Sequence, residues 1–212
     1  MNNEITVVLT GFGKFQGVAD NPTTHLIAKL EEKYNKFPPT THKAIFKVFP
    51  HVSVKQVTLD LEPIYDSLRR TDARNVVFVH LGVYQSCPFF RLETNAFNDA
   101  TFRIPDEDDF QPKNQKINEN REFNDCIKST LPLTELCASL KADGFDVQES
   151  DDAGRFLCNY TYYKTAKCCD DEERNWRALF VHVPTFENVH EDKQLAFVHK
   201  LVIAVVESRS WR

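Results

Sequence analysis

Asn75-Val76-Val77-Phe78-Val79-His80-Leu81-Gly82 is apolar at nearly every position. A strand with one wet face would alternate apolar and polar residues. A run without alternation belongs to a strand covered on both faces, as in the middle of a parallel sheet. Two more runs share this character. Ile5-Thr6-Val7-Val8-Leu9-Thr10 ends at Gly11-Phe12-Gly13, and Ala178-Leu179-Phe180-Val181-His182-Val183 is stopped by Pro184. Ala44 to Phe49 and Phe145 to Glu149 are shorter strand candidates, and Phe90 to Phe97 reads as one possible strand.

Helical patterns fall between these runs. Leu26, Ile27 and Leu30 recur at helical spacing over Thr23 to Tyr34, with Asn21 suited to the N-cap and Pro22 to the first turn. Val57, Leu61, Ile64 and Leu68 share one face over Val54 to Leu68, although Pro63 stands mid-pattern. Leu133 to Leu140, Phe156 to Ala166 and Asp192 to Ser208 complete the set. The order β-α-β-α-β, an irregular excursion from Gln85 to Ser129, then α-β-α-β-α predicts an α/β fold. Its form is a three-layer α/β/α sandwich with a mostly parallel open sheet. No repeat or linker interrupts it, so residues 1–212 read as one domain. Ligands of such sheets bind outside the strand carboxyl ends. Gly11-Phe12-Gly13, Gly82 and His182-Val183-Pro184 all lie at such ends.

Composition narrows the function. The chain has 212 residues, 42% hydrophobic and 12% aromatic, with 17 Phe against 1 Met. That supplies a rigid core of ample size. A net charge of −5 without any basic run argues against nucleic acid or an anionic membrane as partner. The acidic runs Asp106-Glu107-Asp108-Asp109 and Asp170-Asp171-Glu172-Glu173 read as solvated loops or helix starts. No segment resembles a targeting signal or reaches membrane-spanning length, so the chain is expected in the cytoplasm. Six unevenly spaced Cys fit a reducing compartment rather than a disulfide framework. Cys168-Cys169 lacks a second pair at metal-ligand spacing, so no metal is expected.

One cysteine stands apart. In Asp152-Ala153-Gly154-Arg155-Phe156-Leu157-Cys158-Asn159, the thiol follows a small turn and opens a helix-compatible run. Unpaired first-turn N–H groups carry partial positive charge, so a thiol there is expected to lose its proton more easily. A nucleophile needs a base, and His80 and His182 both end apolar strands. Pattern alone does not separate them. The order strand, Cys158 helix, strand, His182 would set consecutive parallel strands side by side and bring both groups to one edge. A carboxylate would hold the imidazole in its working tautomer. Glu93 is a candidate among a dozen.

Four segments together resemble the pyroglutamyl-peptidase I (pyrrolidone-carboxylate peptidase) family. They are Thr10-Gly11-Phe12-Gly13-Lys14-Phe15-Gln16-Gly17 with Asn21-Pro22, and Glu93 with Ala96, Asn98 and Arg103-Ile104-Pro105-Asp106. The others are Asp152 to Asn159 with Tyr162-Tyr163, and Phe180-Val181-His182-Val183-Pro184. They occur in the family's order and span nearly the whole chain. The resemblance implies a cytosolic cysteine omega-peptidase that removes amino-terminal pyroglutamate from peptides. It carries over Cys158 as nucleophile, His182 as base and acid, and Glu93 as orienter. Phe12, Phe15 and Phe156 match aromatic pocket positions, Ile104 adds to the wall, and the Val83 backbone matches the lactam-binding position. Arg103 matches an arginine close to the site. No metal or other cofactor is implied, and monomer and homo-oligomer stay open. Lys14 and Gln16 replace a frequent proline and glycine of the first motif. The Asp106–Asp109 run suggests a bias against an acidic residue after pyroglutamate. A catalytically silent relative that binds peptide amino termini is the rival from another class. A phosphorylase on the same architecture would need a phosphate-cradling loop, and none is found in the sequence.

Overall fold

The computed structural model describes residues 4–208. Its elements are β1 (Ile5–Phe12), α1 (Pro22–Lys36), β2 (His42–Phe49), α2 (Val54–Arg70), β3 (Asn75–Val83), β4 (Phe90–Glu93), β5 (Asn95–Phe97), β6 (Cys126–Lys128), α3 (Leu133–Ala142), β7 (Val147–Ser150), α4 (Leu157–Asp171), β8 (Asn175–Val183) and α5 (Glu191–Glu207). Six strands form an open sheet in the order β2-β1-β3-β8-β4-β7. β2, β1, β3 and β8 are parallel. Period-two alternation sends their side chains to two cores. Val7, Leu9, Val79 and Val181 meet Leu26 of α1, Leu136 of α3 and Phe197 of α5. Val8, Phe78 and Phe180 meet Val57, Leu61 and Tyr65 of α2 and Leu157 and Tyr162 of α4. Apolar runs on the central strands thus mean two covered faces, and the three-layer expectation holds.

Two strand expectations are corrected. Phe90 to Phe97 is not one strand. It breaks at Thr94, whose N–H donates to the Ser150 carbonyl (2.6 Å), and β5 leaves to pair with β6 in a separate ribbon. The strands on either side of α4 are not side by side and parallel either. β4 lies between β7 and β8, antiparallel to β8 and parallel to β7. The cause is the short link from Val83 to Phe90. A parallel return needs a crossover of roughly a dozen residues or more. β4 therefore starts at the carboxyl edge where β3 stops and runs back down.

Cys158 nevertheless reaches that edge. Only Glu172, Glu173 and Arg174 separate α4 from β8. The end of α4 must sit near the start of β8, and its beginning near the β8 carboxyl end.

Pro63 does not interrupt α2, which runs through it. Pro63 and Leu59, whose carbonyl would meet the missing N–H, are both exposed, so water can serve that carbonyl. The opposite face holds the helix through Val57, Leu61, Tyr65 and Leu68. The first acidic run is not simply solvated. Asp106 is buried and accepts from Val54 N–H at the start of α2 (2.9 Å), and from Asp108 and Phe110 N–H (2.9 and 3.0 Å). Glu107 accepts from Val52 N–H, and Asp108 pairs with His51. These acids anchor the 101–110 loop to a positively polarised helix start. Among the described residues, no helix is long and apolar enough to cross a membrane.

Candidate active site

The sheet registers place the polar groups. Gly82 on β3 lies opposite His182 on β8, which lies opposite Arg91 on β4. Glu93, two residues along β4, faces Phe180. Parity therefore puts Gly82, Phe180, His182, Arg91 and Glu93 on the face that α4 covers.

Glu93 is fully buried and His182 is 3% exposed. His182 Nδ1–H donates to Glu93 Oε1 at 2.7 Å. That bond fixes the tautomer and leaves Nε2 with its lone pair. Arg91 Nε stands 3.3 Å from the same oxygen. The Tyr162 hydroxyl donates to the Glu93 carbonyl (2.9 Å), tying α4 to the carboxylate strand.

His80, the rival histidine, has another fate. It is fully buried two residues further from the carboxyl edge, with Nδ1 at 2.7 Å from Thr10 Oγ1 and Nε2 at 3.0 Å from Thr165 Oγ1. Burial pushes its pKa down to about 3. It is a satisfied, neutral core residue.

Cys158 occupies the second position of α4 and is half-buried. The motif around it fixes the helix start. Gly154 has φ +78°, a left-handed conformation that favours glycine. Its N–H donates to Asp152 Oδ1 (2.9 Å), and the Arg155 guanidinium joins Asp152 and Asp99. The Asn159 side chain accepts from Phe97 N–H (2.9 Å) and donates to the Phe97 and Asp99 carbonyls (2.9 and 3.0 Å). The first turn of α4 is thus pinned to β5.

The sulfur itself sits over Gly82. A Cβ built on Gly82 would lie 3.1 Å from Cys158 Sγ and 2.7 Å from Phe180 Cζ. Since Gly82 and His182 are register partners on adjacent strands, about 4.8 Å apart, the sulfur and the imidazole share one corner of the sheet edge. His182 hydrogen-bonds through Nδ1 alone, so the direct thiol–imidazole bond expected of a catalytic pair is not formed here. Such bonds are often long without substrate and tighten in the complex.

The expectation of an acidic thiol is also corrected. Burial pushes the Cys158 pKa up to about 12, the Glu93 charge adds to the rise, and the residue's own backbone N–H opposes it. The helix start alone does not yield a thiolate at neutral pH. A base has to take the proton.

The aromatic residues converge beside the sulfur. Phe12, Phe15, Phe156 and Phe180 share one cluster with Cys158. The Phe15 and Phe156 rings are 6.4 Å apart, and Phe102 meets Phe156 at 4.6 Å. Val83 closes β3 opposite Val183. Arg103 and Ile104 lie exposed on the 101–110 loop, and no hydrogen bond or ion pair joins Arg103 to Glu93, Cys158 or His182. Open cavities of about 230 Å³ between α2 and α4 and about 810 Å³ beside β2 contain none of these three residues. Glu93 and His182 are packed among side chains, with Cys158 half-buried beside them.

A family model described as pyroglutamyl peptidase matches residues 5–206. The chain belongs to the pyroglutamyl peptidase family. A pyrrolidone-carboxylate peptidase of Thermococcus litoralis is 30% identical over 84% of this chain and 76% of its own length. One from Bacillus cereus is 29% identical over 84% and 78%. The solved pyrrolidone carboxyl peptidase of Thermococcus litoralis superposes with a TM-score of 0.83 at 25% identity, covering 95% of this chain and 93% of that one. The Fervidobacterium islandicum structure has the same TM-score at 22% identity over 96% and 99%, which is a likeness of fold.

Arg91 was not legible from the sequence, where it is a polar position on a short strand. Gly82 was legible as a strand carboxyl end beside His182, but its place under the sulfur was not. The register and the Gly82–Cys158 approach reveal both roles. Gly82→Ala is expected to lower kcat/KM on a pyroglutamyl amide by about 100-fold. An added methyl must displace the sulfur or the Phe180 ring by a sizeable fraction of an ångström, and misplacement of about 1 Å costs this much. Steady-state kinetics on a variant shown to be folded by its melting curve measure it. Wild-type turnover would mean that the sulfur does not rest on Gly82.

Proposed function

We propose that this chain is a single-domain cysteine peptidase that hydrolyses the amide bond after an amino-terminal pyroglutamyl residue, with Cys158, His182 and Glu93 as its catalytic group. The observation that carries the reading is the buried Glu93–His182 hydrogen bond of 2.7 Å beside a half-buried thiol at a helix start.

His182 Nε2 takes the thiol proton, and the sulfur attacks the pyroglutamyl carbonyl. The carbonyl oxygen becomes an oxyanion. The Cys158 backbone N–H, in the first turn of α4 and without a partner inside the helix, is placed to receive it. Collapse breaks the C–N bond as the imidazolium returns its proton to the departing amine, leaving a thioester. Water then attacks, with His182 again taking a proton. Pyroglutamate leaves and the thiol is restored. The Glu93 carboxylate, with Arg91 beside it, stabilises the imidazolium that forms in each half. The cycle needs no metal or organic cofactor.

Pyroglutamate is a neutral lactam, so its site needs apolar walls and one backbone donor–acceptor pair. Phe12, Phe15 and Phe156 supply the walls and the Val83 backbone the pair. Ile104 and Arg103 follow Phe102, whose ring packs on Phe156, and are assigned to the rim of that wall. All six cysteines are free, which supports a reducing, cytoplasmic setting.

A fluorogenic pyroglutamyl amide, assayed with and without an alkylating agent, tests the reading. Hydrolysis blocked by alkylation of Cys158 is the expected result. Hydrolysis that survives full modification of this thiol, or none at all in the untreated protein, would overturn it.

A further inference from the structure

The sheet order ranks the parts of the site from one flank to the other. Phe12 and Phe15 lie on β1 and its following loop, Gly82 and Val83 end β3, His182 follows on β8, and Arg91 and Glu93 stand beyond it on β4. If the acyl half of the substrate lies on the β1–β3 flank, as proposed above, the departing amine must lie towards His182, which protonates it. The second residue of the peptide then projects over the β8–β4 flank.

Tyr84 stands there. Its N–H donates to the Val183 carbonyl (2.9 Å), carrying the chain from the end of β3 over the end of β8. Its ring meets the His182 ring edge-on, with centroids 5.4 Å apart. The Arg91 guanidinium lies 4.6 Å from the Tyr84 ring centroid. Arg91 is itself held by Glu93 Oε1 (3.3 Å), by Ser150 Oγ and by the Asp152 carbonyl (2.9 Å). The tyrosine ring is therefore propped on one face and flanked by the imidazole. Yet the residue is 40% exposed. Among the exposed large apolar side chains of the described residues, Tyr84 is the one with a ring contact to the catalytic histidine.

We propose that Tyr84, propped by Arg91, is the platform for the residue after pyroglutamate and selects a planar side chain there. The inference rests on the peptidase reading above. A fixed aromatic face favours a second ring by offset or edge stacking beyond simple burial. Its geometry is pre-set, so little ordering opposes the contact. Arg91 Nε and Nη2 are engaged by Glu93, Ser150 and Asp152, which fixes the guanidinium against the tyrosine ring.

The test compares kcat/KM for pyroglutamyl dipeptide amides with Phe, His, Leu or Ala in the second position. The ring-bearing Phe and His substrates are expected to exceed Ala by about tenfold, the upper range of a stacking contact, and Leu to gain less. Tyr84→Phe should keep the ratio of Phe to Ala. Tyr84→Leu, which fills similar space without a ring, should bring it below about threefold. A general loss of activity cancels in this ratio, so damage to the fold does not imitate the effect. Equal rates for all four substrates in the wild type, or an unchanged ratio in Tyr84→Leu, would overturn the platform alone. Failure to cleave any of the four would sink the peptidase reading and the platform with it.

Discussion

Cys158→Ser is expected to reduce hydrolysis of a pyroglutamyl amide by at least about 10⁴-fold, the scale on which loss of a catalytic nucleophile is felt. The reason lies in the site rather than in the motif. The surroundings push even the thiol up to about 12 through burial and the Glu93 charge. An alcohol starts from a far higher pKa, and the same surroundings oppose its ionisation too. The fold should not register the change. The α4 start is held by Asn159 to the Phe97 and Asp99 backbone and by Arg155 to Asp99, none of which uses the sulfur. A melting temperature within about 2 °C of wild type is expected, since the change is near-isosteric and the half-buried side chain lies at the margin of its cluster. Turnover retained within tenfold in the serine variant would sink Cys158 as the nucleophile. Activity lost together with the melting transition would instead mark a structural cysteine.

Much of the architecture is written in local pattern. Non-alternating apolar runs mark β1, β3 and β8 as covered on both faces, and the helix from Pro22 begins where Asn21 and Pro22 place it, with Asn21 accepting from Thr23 N–H. The neighbours of β4 are not written there. Register and strand order are set by long-range pairing, and four residues carry no periodicity long enough to give a direction. The reversal of β4 matters because it delivers Glu93 from the far side of β8, directly beneath His182. Arg91 comes with it by alternation. A sequence reading that allows one strand from Phe90 to Phe97 finds the carboxylate but not the flank it comes from.

The two histidines show the same limit. His80 and His182 share a local pattern, and both point to the α4 face. What separates them is depth. His80 meets Thr10 and Thr165 inside the core, whereas His182 lies two residues nearer the carboxyl edge, with Glu93 on one nitrogen. The thiol pKa was illegible for a related reason. A helix start is visible in sequence, but the packing that desolvates the sulfur is not, and burial outweighs the helix end.

His182→Ala should be almost as damaging as loss of the sulfur, at about 10⁴-fold in kcat, and it carries a second signature. Without a base, burial and the nearby Glu93 charge still hold the Cys158 thiol above its ordinary range. A raised thiol pKa means less thiolate at any pH below it. Iodoacetamide labelling of Cys158 in the variant should therefore climb about tenfold per pH unit from 7 to 10 without a plateau, because only the thiolate reacts. In the wild type, His182 Nε2 can take the thiol proton as alkylation proceeds, so labelling at neutral pH should be faster than in the variant. The alanine variant also strips Glu93 of its buried partner, leaving Arg91 at 3.3 Å as its remaining ion-pair contact. Part of the about 3–5 kcal/mol typical of breaking a buried pair should appear as lost stability. His182→Asn separates the two effects, since its amide nitrogen falls near the place of the imidazole Nδ1 and can donate to Glu93 but cannot act as a base. It should melt closer to wild type than the alanine variant while staying equally inactive and equally slow to label at pH 7. Fast neutral-pH labelling in either variant would show that the helix start makes the thiolate unaided, and the base assigned to His182 would have to be sought elsewhere.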